Sequence, residues 1–376
     1  MRFLTADILF TAKNSPLKNG VVVVNDTGLI LDILDLSKVQ PDLLEYFPGA
    51  LCPGFINTHC HLELSHLFQE IDKHTGLPKF IKSIVSKRNF PEDKILECID
   101  SADKTMYNNG IVAVGDISNT SLSFSTKEDS HIFYHTFIEL FASLSEKANP
   151  VFQNGYDLLN QCQHSSSLVP HSTYSVSDKL FQLIKSNNAG EIVSIHNQET
   201  ADEDEMFLNG EGNLLKVLND KSDFKSTGLS ALKSTLPKLP NSPILFVHNT
   251  FTSQADIQFA MSQKNDVYWA TCPKANLYIE KKLPDYQIFI NQNAKMTIGT
   301  DSLASNDTLC LLEEMKVINH TVSLEILLQW ACKNGAEFLG LNQMGTLEKG
   351  KSPGINHISH LRNEQLTERS SVNRII

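Results

Sequence analysis

Three features that would each define a function class are missing from this sequence of 376 residues. It has no marked run of basic residues, and 32 Lys and Arg against 43 Asp and Glu give a net charge of −11. We therefore expect neither a nucleic-acid groove nor binding to an anionic membrane surface. No apolar run approaches the ~20 residues of a membrane span, and Asp7 interrupts any signal-peptide core. The sequence predicts a cytoplasmic protein whose partner is a small molecule.

The number and spacing of the cysteines are informative mainly for the kinds of site that they exclude. There are seven, with no Cys-x-x-Cys pair among them, which argues against a disulfide framework and against a thiolate zinc site. The 13 histidines are more informative, because several of them end apolar runs.

The pattern of apolar runs changes near residue 50. Before it, short β-like runs separated by turn residues favour a small antiparallel β unit. After it, apolar runs alternate with segments of helical period, as in repeated βαβ units. Eight such runs are Leu51–Asn57, Ile111–Asp116, Ile132–Phe141, Leu168–Tyr174, Ile192–His196, Ile244–His248, Val267–Cys272 and Met296–Asp301. They predict a (β/α)8 TIM barrel over 51–340, with its active site at the C-terminal ends of the strands.

One long polar segment, 209–239, interrupts this alternation. It is rich in Gly and Ser, and two interpretations stay open. It is either an insertion that covers the site or a plain surface loop.

Reactive side chains stand where several of these runs end. The first run leads into His59 and His61, and residues two apart in an extended chain point the same way. A solvated turn would give the same pair. The fifth run ends at His196 with Glu199 three residues on, although an acid there could simply favour the start of a helix. The sixth run ends at His248.

The eighth run ends at Asp301, and a carboxylate in such a position is rarely buried unless it is paired or bound to metal. Together, His59, His61, His196 and Asp301 would hold one divalent metal with a water attached. Zinc is the first expectation, and iron or manganese suits the same ligands.

Several segments resemble the amidohydrolase superfamily, in its mononuclear, deaminase-like branch. They are Pro53 to Ser65, Pro170 to Ser177, His196 to Glu199, Val247 to Asn249, Cys272 to Asn276, Gly299 to Asn306 and Gly345 to Lys351. Below that level, Leu62 to Ser65 and the stretch from Thr75 to Arg88 are similar to aminodeoxyfutalosine deaminases. One departure is Ala275, which stands where the family usually has serine.

The resemblance implies a fold and a metal count. The barrel would be held by a small β-sandwich built from both chain ends, 1–50 and 341–376. The fourth strand offers His171 and no lysine, which implies one metal and not two. A homodimer is also implied.

The resemblance further implies a reaction. An activated water would attack the amidine carbon of an aminopurine nucleoside-like compound, with 6-amino-6-deoxyfutalosine of menaquinone biosynthesis as the specific expectation. Asp301 would take the water's proton, His248 would bond the water or polarise the adduct, and Glu199 would protonate a ring nitrogen. The expected substrate contacts are His171, Glu63, Phe80, Arg88 and Ser302, although Glu63 could equally support the turn after its strand.

Three alternatives remain open at this stage. One is deamination of guanine, cytosine or triazine-type rings, or removal of another leaving group such as chloride. A second is hydrolysis of a cyclic amide. The most distant is a metal-binding scaffold without catalysis.

Overall fold

The structure is a computed structural model that describes residues 1–218, 222–264 and 266–376. Its strands are β1 (Arg2–Leu9), β2 (Gly20–Val24), β3 (Ile30–Asp35), β4 (Leu44–Pro53), β5 (Phe55–Cys60), β6 (Ile111–Ser118), β7 (Phe133–Leu140), β8 (Ser166–Pro170), β9 (Val193–Asn197), β10 (Ile244–His248), β11 (Val267–Thr271), β12 (Lys295–Ile298), β13 (Ile355–Ser359) and β14 (Ser371–Arg374).

The helices lie mostly between the strands of the middle part of the chain. They are α1 (Leu77–Lys87), α2 (Glu92–Asn108), α3 (Phe124–Asp129), α4 (Ala148–Gln161), α5 (Asp178–Asn187), α6 (Ala201–Asn209), α7 (Asn213–Leu218), α8 (Ala231–Thr235), α9 (Gln254–Gln263), α10 (Pro273–Glu280), α11 (Tyr286–Asn291), α12 (Leu311–Ile318), α13 (Leu324–Leu328) and α14 (Gly335–Phe338). A π turn, Gln329–Asn334, joins the last two. Short 3-10 turns occupy Leu36–Lys38, Pro41–Leu43, Leu62–Leu67, Ser145–Lys147 and Leu236–Lys238.

Both chain ends contribute to one six-stranded sheet, in the order β14-β13-β4-β1-β2-β3. Strand β13 pairs antiparallel with β4, with Ile355 opposite Pro53, so the C-terminal strands are bound to the N-terminal ones. Leu4, Val22, Leu51 and Ile355 belong to a small buried core on this sheet. Both chain ends therefore contribute strands to one sheet, while the expected β-sandwich and the domain boundaries near 50 and 340 stay predictions.

The barrel consists of two four-stranded parallel sheets, β5-β6-β7-β8 and β9-β10-β11-β12. They meet twice. The N–H of His196 donates to the carbonyl of His171 at 2.9 Å, and the N–H of Asp301 donates to the carbonyl of His59 at 3.0 Å. Parallel pairing of Ser172 with His196 and of Cys60 with Asp301 accompanies these bonds. The eight strands therefore close on themselves, and the predicted barrel is confirmed.

The first predicted strand, Leu51–Asn57, is divided in two. Strand β4 ends at Pro53 in the end sheet and β5 starts at Phe55 in the barrel. Gly54 lies between them, where an added Cβ would be 2.3 Å from Val112 Cγ1 and 2.6 Å from the Pro353 carbonyl. Apolar content is the same on both sides of Gly54, so the change of sheet has no hydrophobic signature.

Large side chains fill the barrel's core. Trp269, Phe55, Phe137 and Phe246 are fully buried, as expected for parallel strands covered on both faces. Helix α9 begins where Ser253 and Asp256 form a capping box. No helix among the described residues is long and apolar enough to cross a membrane.

The polar segment 209–239 contains α7 and α8, and its residues 219–221 lie outside the described part of the chain. Leu214 of α7 is buried in a cluster with Phe80 of α1 and Tyr174. The described part of this segment is thus packed onto the barrel, close to the ends of its strands.

Candidate active site

Imidazoles from three strand ends converge at the C-terminal mouth of the barrel. The Nε2 atom of His61 lies 3.2 Å from Nε2 of His59 and 3.3 Å from Nε2 of His196. Oδ1 of Asp301 lies 3.4 Å from Nε2 of His61 and 3.7 Å from Nε2 of His59. The four side chains expected to bind metal are therefore brought together around one point.

Hydrogen bonds fix which ring nitrogens face that point. Nδ1 of His196 donates to the carbonyl of His171 at 2.6 Å, so this nitrogen carries the proton and Nε2 keeps its lone pair. Nδ1 of His248 donates to Oδ1 of Asn276 at 2.9 Å, and Nδ2 of Asn276 donates back to the His248 carbonyl. Partners of this kind orient metal-binding histidines.

Asp301 reaches the cluster through an unusual backbone. Its φ of 57° lies in the left-handed region, as do His248 at 73° and Asn249 at 56°. Such conformations in non-glycine residues are costly and tend to gather at functional sites. Gly299 allows the close approach of this strand end, because a Cβ there would lie 2.8 Å from both Cβ and the carbonyl oxygen of His59.

Burial sets the protonation of these groups. It lowers the pKa of His59 and His248, and with neighbouring imidazoles it lowers the pKa of His61 to about 3 and that of His196 well below its usual range. Burial alone would raise the pKa of Asp301, but its histidine neighbours lower it overall. Neutral imidazoles and an ionised carboxylate are the forms that bind metal.

This donor set fits a divalent metal ion. His59, His61 and Asp301 offer donor atoms within 4.8 Å of one another, and so do His59, His196 and His248. Neutral imidazole nitrogens with one carboxylate oxygen suit zinc, iron or manganese. His248 lies near enough to take part, so its assignment to catalysis stays a prediction.

Glu199 stands beside this cluster without joining it. Its Oε1 is 3.7 Å from Nε2 of His248. Burial first, and then the charges of Asp301 and Glu280, raise the pKa of Glu199 well above its usual range. A carboxyl group with a raised pKa holds its proton more firmly than an exposed one, which is the property an acid catalyst needs.

A cavity of about 260 Å³ opens onto these groups. Helices α1 and α7 supply much of its apolar wall, so part of the segment 209–239 covers the site. The apolar lining is Leu64, Leu77, Phe80, Ile81, Ile84, Val85, Phe141, Tyr174, Leu214, Val217 and Leu218. The polar lining is His61, Arg88, Asn119, Glu139, His171, Ser175, His196, Glu199, His248, Asp301 and Ser302.

Four of the five expected substrate contacts, Phe80, Arg88, His171 and Ser302, line this cavity. Glu63 does not. Its Oε2 accepts hydrogen bonds from the N–H groups of Asn119 and Thr120, both at 3.1 Å, and from the Thr120 hydroxyl at 2.9 Å. Glu63 thus holds the backbone of Asn119 and Thr120, which corresponds to the structural alternative considered from the sequence.

Sequence reasoning missed some residues of the site. Asn276 orients His248, and the Ser305 hydroxyl donates to Oδ2 of Asp301 at 2.5 Å. Glu139 lines the cavity with a pKa that burial raises to about 8. The signal for Glu139 was available, because an acid near the end of an apolar strand is the pattern that pointed to Asp301.

Comparison with known proteins gives a consistent result. A model of the amidohydrolase family matches residues 50–370. An adenosine deaminase of Helicobacter pylori is 26% identical over 377 residues, which cover 93% of this chain and 90% of that protein. An aminodeoxyfutalosine deaminase of Deinococcus radiodurans is 26% identical over 372 residues, covering 90% of this chain and 86% of the relative.

The fold is also shared with solved structures. The crystal structure of Helicobacter pylori aminofutalosine deaminase in complex with methylthio-coformycin superposes with a TM-score of 0.81 at 23% identity, over 100% of both chains. At that identity the likeness concerns the fold.

Proposed function

This chain belongs to the amidohydrolase family, and from that premise we propose that it is a metal-dependent deaminase of an adenosine-like nucleoside. Enzymes of this kind hydrolyse carbon–nitrogen bonds other than peptide bonds. The relatives named as deaminases support this choice within the family.

We assign His59, His61, His196 and Asp301 as the residues that hold the metal, with zinc as the expected ion. A divalent ion at this point supplies a water whose pKa falls from ~15.7 toward ~7, so that a nucleophile exists at neutral pH. Asp301 accepts a proton from the attacking water. Because the pKa of Asp301 is low, it can take this proton only from a water whose own pKa has been lowered. His248, held by Asn276, hydrogen-bonds the same water or the developing tetrahedral centre.

The observation that carries the proposal is the separate, buried carboxyl of Glu199, which lies 3.7 Å from His248 and has a raised pKa. Hydrolysis of an amide needs one activated water and a donor to the leaving group. Deamination of an aminopurine needs in addition an acid for the ring nitrogen, because the ring must accept electrons as water adds. Glu199 supplies that proton. The proton that Asp301 took from the water then passes to the departing amine, and the hydroxyl proton of the adduct returns to Glu199 as the new carbonyl forms.

The cavity suggests the rest of the substrate. Its apolar wall suits a flat heterocycle, and Arg88 lines it without an ion-pair partner among the described residues. A free guanidinium favours a substrate that carries a carboxylate. We therefore propose 6-amino-6-deoxyfutalosine as the specific substrate and menaquinone biosynthesis as its pathway.

The test is a substrate panel on zinc-loaded protein. Ammonia release is measured together with the absorbance change from adenine-like to hypoxanthine-like, for adenosine, methylthioadenosine and 6-amino-6-deoxyfutalosine. We expect turnover of at least one nucleoside, with the carboxylate-bearing compound preferred. Triazines and cyclic amides belong in the same panel.

The control is Glu199→Gln, which should abolish turnover and leave the zinc content unchanged, because Glu199 is assigned as an acid and not as a ligand. Loss of zinc from that variant would contradict the assignment. Turnover of a triazine or a cyclic amide, with no nucleoside accepted, would overturn the proposed function itself.

A further inference from the structure

We propose that Glu139 is a specificity residue that binds hydroxyl groups on the sugar of the substrate. The inference rests on the proposed function, since it takes the substrate to be a nucleoside. Glu139 lies near the end of β7 and lines the same cavity as Glu199 and His248. Nothing in the assigned chemistry uses it.

One oxygen of Glu139 has no hydrogen-bond partner in the described part of the chain. The residue is only 6% exposed, and its Oε1 makes no hydrogen bond. A buried carboxyl oxygen left unpaired is costly, so such groups usually have a ligand, a water or a function. Because Glu139 also lines the cavity, a bound ligand is the group that can reach it.

The other oxygen is held in place by a relay of hydrogen bonds. Nδ2 of Asn119 donates to Oε2 of Glu139 at 3.2 Å and to the Glu139 carbonyl at 3.1 Å. The N–H of Asn119 in turn donates to Glu63. A carboxyl group that is fixed at one oxygen and free at the other is preorganised to bind a ligand. Preorganisation lowers the conformational entropy that the site loses when the ligand binds.

The chemistry of a nucleoside indicates which of its groups can hydrogen-bond to the free oxygen of Glu139. An adenine ring has one N–H donor group, its exocyclic amine, and the reaction removes it. The ring nitrogens are acceptors. The sugar hydroxyls remain, and a hydroxyl both donates and accepts, so it satisfies Glu139 whether or not that carboxyl carries a proton. His171 offers a second polar group beside Glu139, within 4.8 Å of it.

Two other roles for Glu139 fit the geometry less well. It could orient His196, since Oε1 is 3.5 Å from Nδ1 of that residue. However, that nitrogen already donates to the His171 carbonyl at 2.6 Å. It could bind a second metal with His171 and His196, but the same Nδ1 would then have to lose both its proton and its carbonyl partner.

The test compares ligands with and without the hydroxyls. On zinc-loaded protein, kcat/KM is measured for adenosine and 2′,3′-dideoxyadenosine. Calorimetry gives Kd for the product-like pair inosine and 2′,3′-dideoxyinosine. The variants are Glu139→Gln, Glu139→Ala and Asn119→Ala, with the exposed Glu128→Gln of α3 as a matched control. Zinc content and Tm are recorded for each.

We expect the wild-type protein to favour the hydroxylated member of each pair by about tenfold to a hundredfold, as for a hydrogen bond to a buried group. Glu139→Ala should bring that ratio close to one by weakening only the hydroxylated ligand, at unchanged zinc content. Glu139→Gln should keep part of the preference, Asn119→Ala should lower it, and Glu128→Gln should match the wild type.

Three results would overturn the proposal. They are no preference for hydroxyls in the wild type, an equal loss for both members of a pair in Glu139→Ala, or loss of zinc from Glu139→Gln. The calorimetry separates this proposal from the proposed function. If inosine shows the expected ratio and no nucleoside is deaminated, the function fails and the sugar site stands. If ammonia is released and the ratio ignores Glu139, the sugar site fails alone.

Discussion

A buried ion pair contacts the turn that follows the histidines of the first barrel strand. Nζ of Lys127 is 2.6 Å from Oδ2 of Asp116, and both side chains are 0% exposed. Oδ1 of Asp116 accepts the N–H of Leu62 at 2.7 Å, one residue after His61. The pair therefore supports the turn that presents His61 to the cluster.

Replacing Lys127 with Met should be strongly destabilising. It removes the cation and leaves the Asp116 carboxylate buried without a counter-charge, which costs about 3–5 kcal/mol. At about 2.1 cal/mol/K per residue, the unfolding entropy of a chain of 376 residues is roughly 0.8 kcal/mol/K. The expected fall in Tm is therefore about 4–6 °C.

The decisive comparison is the double variant Asp116→Asn with Lys127→Met, followed by thermal unfolding. An amide at position 116 keeps an acceptor for the Leu62 N–H and carries no charge, so most of the lost Tm should return. The exposed pair of Lys94 and Glu97 provides the control, and Lys94→Met should leave Tm unchanged.

The pH dependence gives a second check with a definite sign. Burial raises the pKa of Asp116 and Lys127 opposes that rise, so Lys127→Met should raise it further. A carboxyl whose pKa is higher in the folded state destabilises the fold when ionised, and the penalty disappears as the pH falls below that pKa. The Tm deficit of Lys127→Met should therefore be largest at neutral and alkaline pH and shrink as the pH falls toward the ordinary pKa of a carboxyl group, about 4. A deficit that is absent, independent of pH, or equally large in the double variant would refute the reasoning.

Three further predictions follow from single contacts. Gly299→Ala places a Cβ 2.8 Å from His59 Cβ, so zinc content by elemental analysis and kcat/KM should fall together; full retention of zinc would contradict this. Asn276→Ala removes the acceptor that orients His248 and should lower kcat by about tenfold to a hundredfold, with a fall in Tm of about 1–4 °C because a buried N–H is left unpaired; an unchanged kcat would count against it. Glu348, whose pKa is lowered to about 2 chiefly by a hydrogen bond from Lys13, contributes about 1 kcal/mol or less near pH 7. The Tm deficit of Glu348→Gln should disappear between about pH 4.3 and about pH 2, and a deficit that persists at the lower end would exclude this origin.

The reactive ends of the strands were predictable because they combine two local signals. Runs such as Ile244–His248 are apolar and end in a polar side chain, and the ends of parallel strands meet at one edge. Glu139 gave the same signal at the end of β7. It was overlooked because a single acid near a strand end can serve many purposes. Only the structure shows that Glu139 lines the cavity and that its Oε1 makes no hydrogen bond.

Other features depend on contacts between distant parts of the chain. Glu63 is an acid close to the metal-binding histidines in sequence, so a ligand contact was expected. Its carboxylate instead accepts hydrogen bonds from the backbone N–H groups of residues 119 and 120, which lie 56 and 57 residues further along the chain. The strand predicted over Leu51–Asn57 is divided at Gly54, where Val112 and Pro353 leave no room for a side chain. Neither effect changes the local pattern of apolar and polar residues.

The sequence by itself determined the barrel, the strand ends and the residue types that gather there. The period of apolar residues and the polarity of strand ends are local properties, which can be read from each segment without knowing what it packs against. The tertiary structure alone decided which nitrogen of His196 faces the cluster, which oxygen of Glu139 is free, and that helix α7 of the polar segment forms a wall of the cavity. These depend on hydrogen bonds and packing between residues far apart in the chain, and such pairings exist only once the chain has closed into its barrel.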